Sequence, residues 1–443
     1  MTNPTQVTNP STATNISEPA NSGAIRAPGA IDVHRVAFAR VATTPVQRAA
    51  SLALQQIRSQ GPLDGFLHDL AGQTVAGARQ TLTRVAVGGV ARAAEAQLGL
   101  RVGHLLLALP MRALRLGEGG EAGEAGAGAD PDLAVATIGG GAPLAGLSGE
   151  VADLRAWAGG FGAFGKVDDP GGAGVDFSAG GGVVGLDQRL GPGLRLGLAL
   201  GYARSDARMQ ALPATSGTDT TALLSYGNWR AGRVRAQAAL GYAHGRVESR
   251  RDASLPTAQP TAAEAHAASH TNQLLSQGEL GLDLPLGSLT LTPFASLQAS
   301  WLWQGRTTED GAAPLDLGLA GGSATSLRHM LGVEVTHSLE LGEWGGDWGG
   351  ELGGEGVAGD LGLRLGWVRE RRTAATTVDL GFAAAPEASF RVEGPRPQRD
   401  AAAVGLGLNL TAFQSLSAFV RYDGELGRKD QTNTLSAGLR LVW

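Results

Sequence analysis

The chain has 443 residues, room for two or three ordinary domains or for one large β structure. Its 36 basic and 41 acidic residues leave a formal charge of −5, which offers no basic surface of the kind nucleic-acid binders carry. There are no cysteines, which excludes disulfides, thiolate metal sites and a cysteine nucleophile. No stretch reaches the ~18 consecutive apolar residues of a transmembrane helix. The longest greasy run, Val102 to Met111, is short and runs into Pro110. The polar N-terminus has no basic residue before Arg26 and does not read as a signal peptide.

In chain order, residues 1–43 are rich in Thr, Asn, Pro and Ser and read as a disordered tail or linker. Residues 44–116 read as a helical linker. Pro45 suits a first helical turn, and Val46, Ala49, Ala50, Ala53 and Ile57 recur with helical spacing up to Gly61. A second helical segment, Leu63 to Leu98, carries Gly72, Gly77, Gly88 and Gly89 and needs a surrounding structure, since each weakens an isolated helix by up to ~1 kcal/mol. Residues 117–154 are dominated by Gly, Ala and Glu and read as a flexible linker. From 155 to 443 the period becomes two: Leu194, Leu196, Leu198, Leu200 and Tyr202 alternate with Arg195, Gly197, Ala199 and Gly201.

About twelve such segments follow, each long enough to cross a bilayer as a tilted strand of ~9–11 residues. They begin near Arg155, Val175, Gly193, Thr218, Arg233, Asn272, Ser288, Ser326, Gly359, Asp400, Ser415 and Gln431. Short turns, as at Gly191-Pro192-Gly193, alternate with long polar stretches such as Glu248 to Thr271 and Gln304 to Thr325. That alternation describes an outer-membrane barrel, with a soluble β-sandwich as the competing architecture. The non-apolar face carries Asp187, Arg195, Arg235, Glu279, Asp283, Arg328, Glu334, Arg364, Arg421, Asp423 and Arg440, which suits a wet or helix-filled lumen. Tyr202, Tyr242, Trp301, Trp303, Trp367, Tyr422 and Trp443 stand near strand ends, where interfacial girdles lie.

Trp157-Ala-Gly-Gly-Phe-Gly-Ala-Phe-Gly165, Leu196-Gly-Leu-Ala-Leu-Gly-Tyr202, Ala238-Ala-Leu-Gly-Tyr242 and Phe390-Arg-Val-Glu-Gly394 resemble segments of the translocator barrel of classical autotransporters, the type V secretion family. Upstream, Thr44-Pro-Val-Gln-Arg-Ala-Ala50 and Asp69 to Arg79 are similar to that family's linker, with Val46, Ala71 and Gln73 departing from it. The likeness covers about nine-tenths of the chain. It implies an all-β membrane protein, a 12-stranded antiparallel transmembrane barrel with an N-terminal helical plug, in a bacterial outer membrane. It also implies a non-enzymatic translocator carrying its own N-terminal passenger, working as a monomer, without cofactor or nucleic acid. Ser436, Gly438, Leu441 and Trp443 resemble the outer-membrane assembly signal read by the barrel-assembly machinery. The family's signal peptide, large passenger and Asn-Asn cleavage pair are not seen. The alternative is a passenger-less outer-membrane pore, or a hydrolase using lumenal carboxylates such as Asp283 and Asp423.

Two other patterns read as incidental. Gly160-Phe-Gly162-Ala-Phe-Gly165 fits a dinucleotide motif, but no helix follows it. His266 and His270 are read as solvated loop residues rather than metal ligands. The plug is expected at Phe66 to Leu98, its Gln73, Arg79, Gln80, Arg84 and Arg92 facing lumenal acids. Its small residues Ala71, Gly72, Ala76 and Gly77 are expected to pass the wall glycines Gly181, Gly197, Gly241, Gly332 and Gly405. A helix lying outside in the periplasm is the alternative.

Overall fold

A computed structural model describes residues 38–57, 61–116, 154–169, 174–210, 213–254, 263–340, 357–373, 377–396, 398–412 and 415–442. The apolar–polar alternation folds as strands β1 (Leu154–Val167), β2 (Val175–Gly191), β3 (Leu194–Met209), β4 (Ala214–Ala231), β5 (Val234–Asp252), β6 (Glu264–Leu282) and β7 (Leu284–Leu286). These are followed by β8 (Leu289–Gln304), β9 (Thr307–Thr308), β10 (Leu317–Leu319), β11 (Gly322–Glu340), β12 (Ala358–Thr373), β13 (Thr377–Phe382), β14 (Ala385–Glu393), β15 (Asp400–Ala412), β16 (Leu416–Leu426) and β17 (Asp430–Val442). Twelve of them close an antiparallel barrel, β1–β6, β8, β11, β12 and β15–β17; β7 extends β6 beyond Asp283. Closure runs from Arg155 opposite Val442 to Val167 opposite Asp430. It removes the edges that so many long strands would otherwise expose.

Leu198, Leu200, Leu240, Leu280, Leu435 and Leu439 are each more than half exposed on the outer wall, the position of lipid-facing side chains. Tight turns at one rim use Gly193, Gly232 and Gly287 at φ +73, +57 and +67. In outer-membrane barrels the short-turn rim is periplasmic and the long-loop rim extracellular.

Three strands begin earlier than the sequence suggested. β4, β6 and β11 start at Ala214, Glu264 and Gly322 rather than near Thr218, Asn272 and Ser326. Above the aromatic belt their outward side chains become polar, so hydrophobic alternation fades while the backbone ladder continues into water. His266 and His270 accordingly lie in β6, not in a loop, and His270 stacks on His244 with ring centroids 5.4 Å apart. The stretch Gln304 to Thr325 is not simply a loop either, because it holds β9 and β10.

The helical region also differs from the expectation. α1 (Pro45–Leu54) starts from a capping box between Thr44 and Gln47. α2 (Asp64–Ala71) ends at Gly72, and α3 (Val75–Leu114) restarts from the Thr74 cap. The segment expected from Leu63 to Leu98 is thus two helices, and the second continues through Pro110. At 1.5 Å per residue, the 40 residues of α3 span about 60 Å. Pro110 removes one helical hydrogen bond. Its neighbours Leu106, Leu107 and Leu109 are fully buried, and that packing holds the helix together.

α1, α2 and the first half of α3 stand at the long-loop rim under a small sheet ordered β14–β13–β10–β9. Leu54, Leu63, Leu67, Leu82, Leu380 and Phe382 bury together there. Phe38 and Val41 join the same core, so the tail read as 1–43 ends before Phe38. Residues 1–37 and the linker Gly117 to Gly149 lie outside the described residues.

Candidate functional site

The barrel's interior is occupied by the second half of α3, not by the segment Phe66 to Leu98 as a whole. Gly89 lies against Leu380 and Val392 of the outer sheet, whereas Gly99 faces Leu302 and Gly103 faces Gln273 and Leu275 of the barrel wall. A Cβ at Gly103 would come within 2.5 Å of both wall side chains. Helix glycine, a cost in isolation, here permits close approach. The expected small residues Ala71, Gly72, Ala76 and Gly77 are not at the wall. Gly72 is the α2 cap, and Gly77 sits beside Thr74 and Gln73.

The expected polar face is displaced in the same way. Gln73 accepts a hydrogen bond from Thr81 at 2.9 Å, and Arg79 donates to the Val41 carbonyl at 2.7 Å. Arg84 approaches Asp252 at 3.8 Å near the outer rim. Arg92 pairs with Glu95 of its own helix at 3.3 Å and donates to Ser269 at 2.5 Å.

Three later arginines of α3 pair with the wall deeper in the barrel or at its far end. Arg101 bonds Asp430 at 3.1 Å and Thr432 at 2.6 Å. Arg112 bonds Asp423 at 2.6 Å and also donates to Ser436. Arg115 bonds Glu334 at 2.7 Å and also pairs with Glu279. Sequence reading overlooked them because it ended the helix at Leu98. The spacing was nevertheless present: 101, 104, 108, 112 and 115 recur every three or four residues, one helical face.

The residues named on the non-apolar face form two clusters and two separate pairs. Glu279 and Glu334 lie at the centre of one, with Arg364 at 2.6 and 3.1 Å, Arg421 3.7 Å from Glu334 and Arg235 3.8 Å from it. Arg364 also lies over the Phe294 ring at 3.5 Å. This chain of ion pairs ends at Asp283, held by Arg230 at 3.0 Å, and at Asp423, held by Arg421 at 3.0 Å. The two carboxylates proposed for hydrolysis are therefore at opposite ends of the network, each bound to arginine. A second group joins Asp187, Arg195, Tyr226 and Trp157. Arg195 donates to Asp187 at 3.0 Å and Tyr226 donates to it at 3.2 Å, while the Trp157 indole donates to Tyr226 at 2.5 Å. Separately, Arg328 pairs with Glu425 near the end of β16, and Arg440 donates to Ser417 at 3.1 Å near its start.

Only some wall glycines make room for α3. Gly201 faces Leu106 and Gly241 lies 3.7 Å from Leu107 by the position of an added Cβ. Gly197 instead admits Tyr226, Gly332 admits Phe294, Gly405 admits Arg421, and Gly181 abuts Tyr202 and Ala203 of the wall itself. Beside α3 a cavity of about 170 Å³ remains, bordered by Arg101, Arg112, Arg328, Arg364 and Arg421 among others. On β17, Ser436 and Gly438 turn inward and Leu441 outward, while Trp443 lies outside the described residues.

A closed barrel crossed by one buried helix now meets the comparisons with known proteins. Residues 156–423 match the family described as autotransporter beta-domain. The chain belongs to that family. The extracellular serine protease of Serratia marcescens is 28% identical over 289 residues, which is 65% of this chain and 26% of that protein. This chain therefore spans about a quarter of that relative's length. The translocator domain of the autotransporter NalP from Neisseria meningitidis superposes with a TM-score of 0.51 at 17% identity, covering 67% of this chain and 90% of that one. The β domain of the Bordetella autotransporter BrkA gives 0.46 at 15% identity, covering 65% and 98%. As an autotransporter β-domain, this chain is an outer-membrane translocator barrel.

Proposed function

We propose that the structure represents the translocator after transport, with α3 as the trailing segment of the passenger route, held in the lumen by its arginines. The observation that carries this reading is the direction of α3. Its first half packs under β9, β10, β13 and β14 at the long-loop rim, and Arg115 reaches Glu279 and Glu334 near the short-turn ends of β6 and β11. A chain arranged so has its N-terminal side outside and its barrel-joining side in the periplasm. An epitope inserted just ahead of Phe38 in the full chain should be cleaved by protease added to intact Gram-negative cells. Protection until the outer membrane is breached would overturn the reading.

We read the role as non-enzymatic: the Serratia protease is matched over about a quarter of its own length, and the lumenal carboxylates here are matched to arginine, as confined charges are. Of the lumen-facing residues given above, Glu279, Glu334 and Asp423 act as holding groups for α3. Lipid and the barrel-assembly machinery are the further partners, the latter through Ser436, Gly438, Leu441 and Trp443. Deleting Trp443 should lower outer-membrane levels in cells far more than refolding in detergent. Equal loss in both would leave Trp443 only an interfacial anchor.

A further inference from the structure

At the long-loop rim the outer wall continues past its aromatic belt, and there its chemistry changes. In β3, the exposed Leu198, Leu200 and Tyr202 share their outward phase with Arg204, Asp206 and Arg208. In β5, Leu240 and Tyr242 share theirs with Arg246, Glu248 and Arg250. All of these charged side chains are exposed. Between the two strands runs β4, whose outward positions at the same heights are Asp219, Gly217 and Thr215. Long side chains on β3 and β5 with short ones on β4 make a trough, two strand spacings or about 10 Å wide. It belongs to a concavity of about 570 Å³ bordered by Arg204, Asp206, Arg208, Glu248 and Arg250 among others. A Cβ added at Gly217 would come within 3.3 Å of the Asp206 carboxylate, so the floor is close under the charges.

The cross-strand register sorts these charges into levels. Nearest the belt, Arg204, Asp219, Arg246 and His270 stand opposite one another. Asp206, Gly217 and Glu248 form the next level, and Arg208, Thr215, Arg250 and His266 the outermost. The two arginine levels are four residues apart, about 13 Å at ~3.3 Å per residue along a strand. Arg204 pairs with Asp219 at 3.4 Å, but Arg208, Arg246 and Arg250 make no ion pair among the described residues. The Tyr202 hydroxyl donates to Asp219 at 2.6 Å, so the lower arginine level begins where the lipid-facing wall ends.

We infer that this trough binds lipopolysaccharide, the phosphorylated glycolipid of the outer leaflet. Its acyl chains lie on the leucines below Tyr202 and Tyr242, its phosphates on the two arginine levels and its sugar hydroxyls on the carboxylates between them. A guanidinium meets phosphate oxygens with two parallel N–H donors, and a carboxylate accepts from hydroxyls. A diacyl phospholipid has one phosphate at its headgroup and would leave the outer arginine level unused. The spacing therefore selects a ligand with anionic groups at two heights.

The test is titration of the full chain, folded in detergent and captured on a surface, with purified lipopolysaccharide. Wild type is expected to bind it saturably, to lose binding when the glycolipid is dephosphorylated, and to resist displacement by phosphatidylglycerol or inorganic phosphate. Arg208→Ala with Arg250→Ala should weaken binding by about fivefold for each arginine removed. Arg369→Ala with Arg371→Ala removes two exposed charges from the long-loop end of β12, across the barrel, and should leave the affinity unchanged. Gly217→Leu fills the floor, keeps every arginine and should abolish saturable binding. Equal affinity for dephosphorylated glycolipid or for phosphatidylglycerol would overturn the inference. So would an equal loss from the two arginine pairs, which is adsorption to any cationic rim, or undiminished binding by Gly217→Leu. Unchanged heat-modifiable gel mobility of each variant establishes that the barrel is folded.

Discussion

The two sides of α3 inside the barrel are built differently. Toward β3–β6, Leu106 and Leu107 belong to one apolar cluster with Ala199, Ala222, Leu224, Ala239 and Leu275. Toward β11, β12, β16 and β17 the same helix meets Glu334, Arg364, Asp423 and Thr432, with a cavity of about 170 Å³ between them. The dry side excludes water and sets how closely the helix can approach. The charged side has direction, because Arg101, Arg112 and Arg115 each reach particular carboxylates of the wall, and it fixes rotation and axial position. On the reading proposed above, such a lumen grips a chain that has moved through it: small apolar residues allow sliding, and ion pairs define the stopping point.

Breaking the charged side should have the largest effect. Glu334→Ala leaves Arg115, Arg364, Arg235 and Arg421 around a missing acid, and removal of one partner of a buried ion network costs about 3–5 kcal/mol. Lower denaturant resistance in detergent and a several-fold rise in single-channel conductance are the expected outcomes. An unchanged conductance would mean the dry side alone retains α3.

Crowding the dry side comes next. Gly103→Leu drives side-chain atoms into Gln273 and Leu275, and overpacking of this kind costs about 1–3 kcal/mol. It should expose α3 to added trypsin while the barrel keeps its strand-rich circular dichroism. Tyr226→Phe is smaller: it removes the hydroxyl between Trp157 and Asp187, and a lost buried partner costs about 1–2 kcal/mol. The shift should appear in thermal unfolding and leave conductance unchanged, because this cluster touches the wall and not the charged face of α3.

The smallest effect lies outside the membrane, in the β13–β14 hairpin. Hydrogen bonds from Arg391 to Asp379 hold that carboxyl below its ordinary range. A depressed folded-state pKa gives stability that is present above the unfolded value and lost as pH falls through the folded one. Hydrogen exchange in β13 and β14 should therefore accelerate, relative to Asp379→Asn, only as pH drops below the usual carboxylate range. A pH-independent ratio between the two proteins would show that the exposed pair contributes nothing.

The barrel was legible in the sequence because lipid on one face and a lumen on the other force a period of two. Even Leu435 to Leu441, the last strand, could be placed by that rule. The strand starts at β4, β6 and β11 were not legible, because Asp219, His266 and His270 are polar on a face that leaves the membrane while the ladder continues. The occupied lumen was half legible. Its charged wall could be listed, but Ala199, Ala203 and Ala239 look like strand filler until a helix lies against them. The outer sheet escaped notice because β9 and β10 are two and three residues long, too short for any periodicity to register.

The packing of Phe38, α1 and α3 beneath β13 and β14 also sets a load path. Tension applied to the chain from outside the cell is met first by the apolar joint at the mouth, loaded in shear along the helices. Only after that joint yields does force reach Arg112 and Arg115. The outer sheet then serves as a strain relief, like the grip on a cable where it enters a housing, so a tethered passenger can be tugged by flow or by a surface without disturbing the barrel.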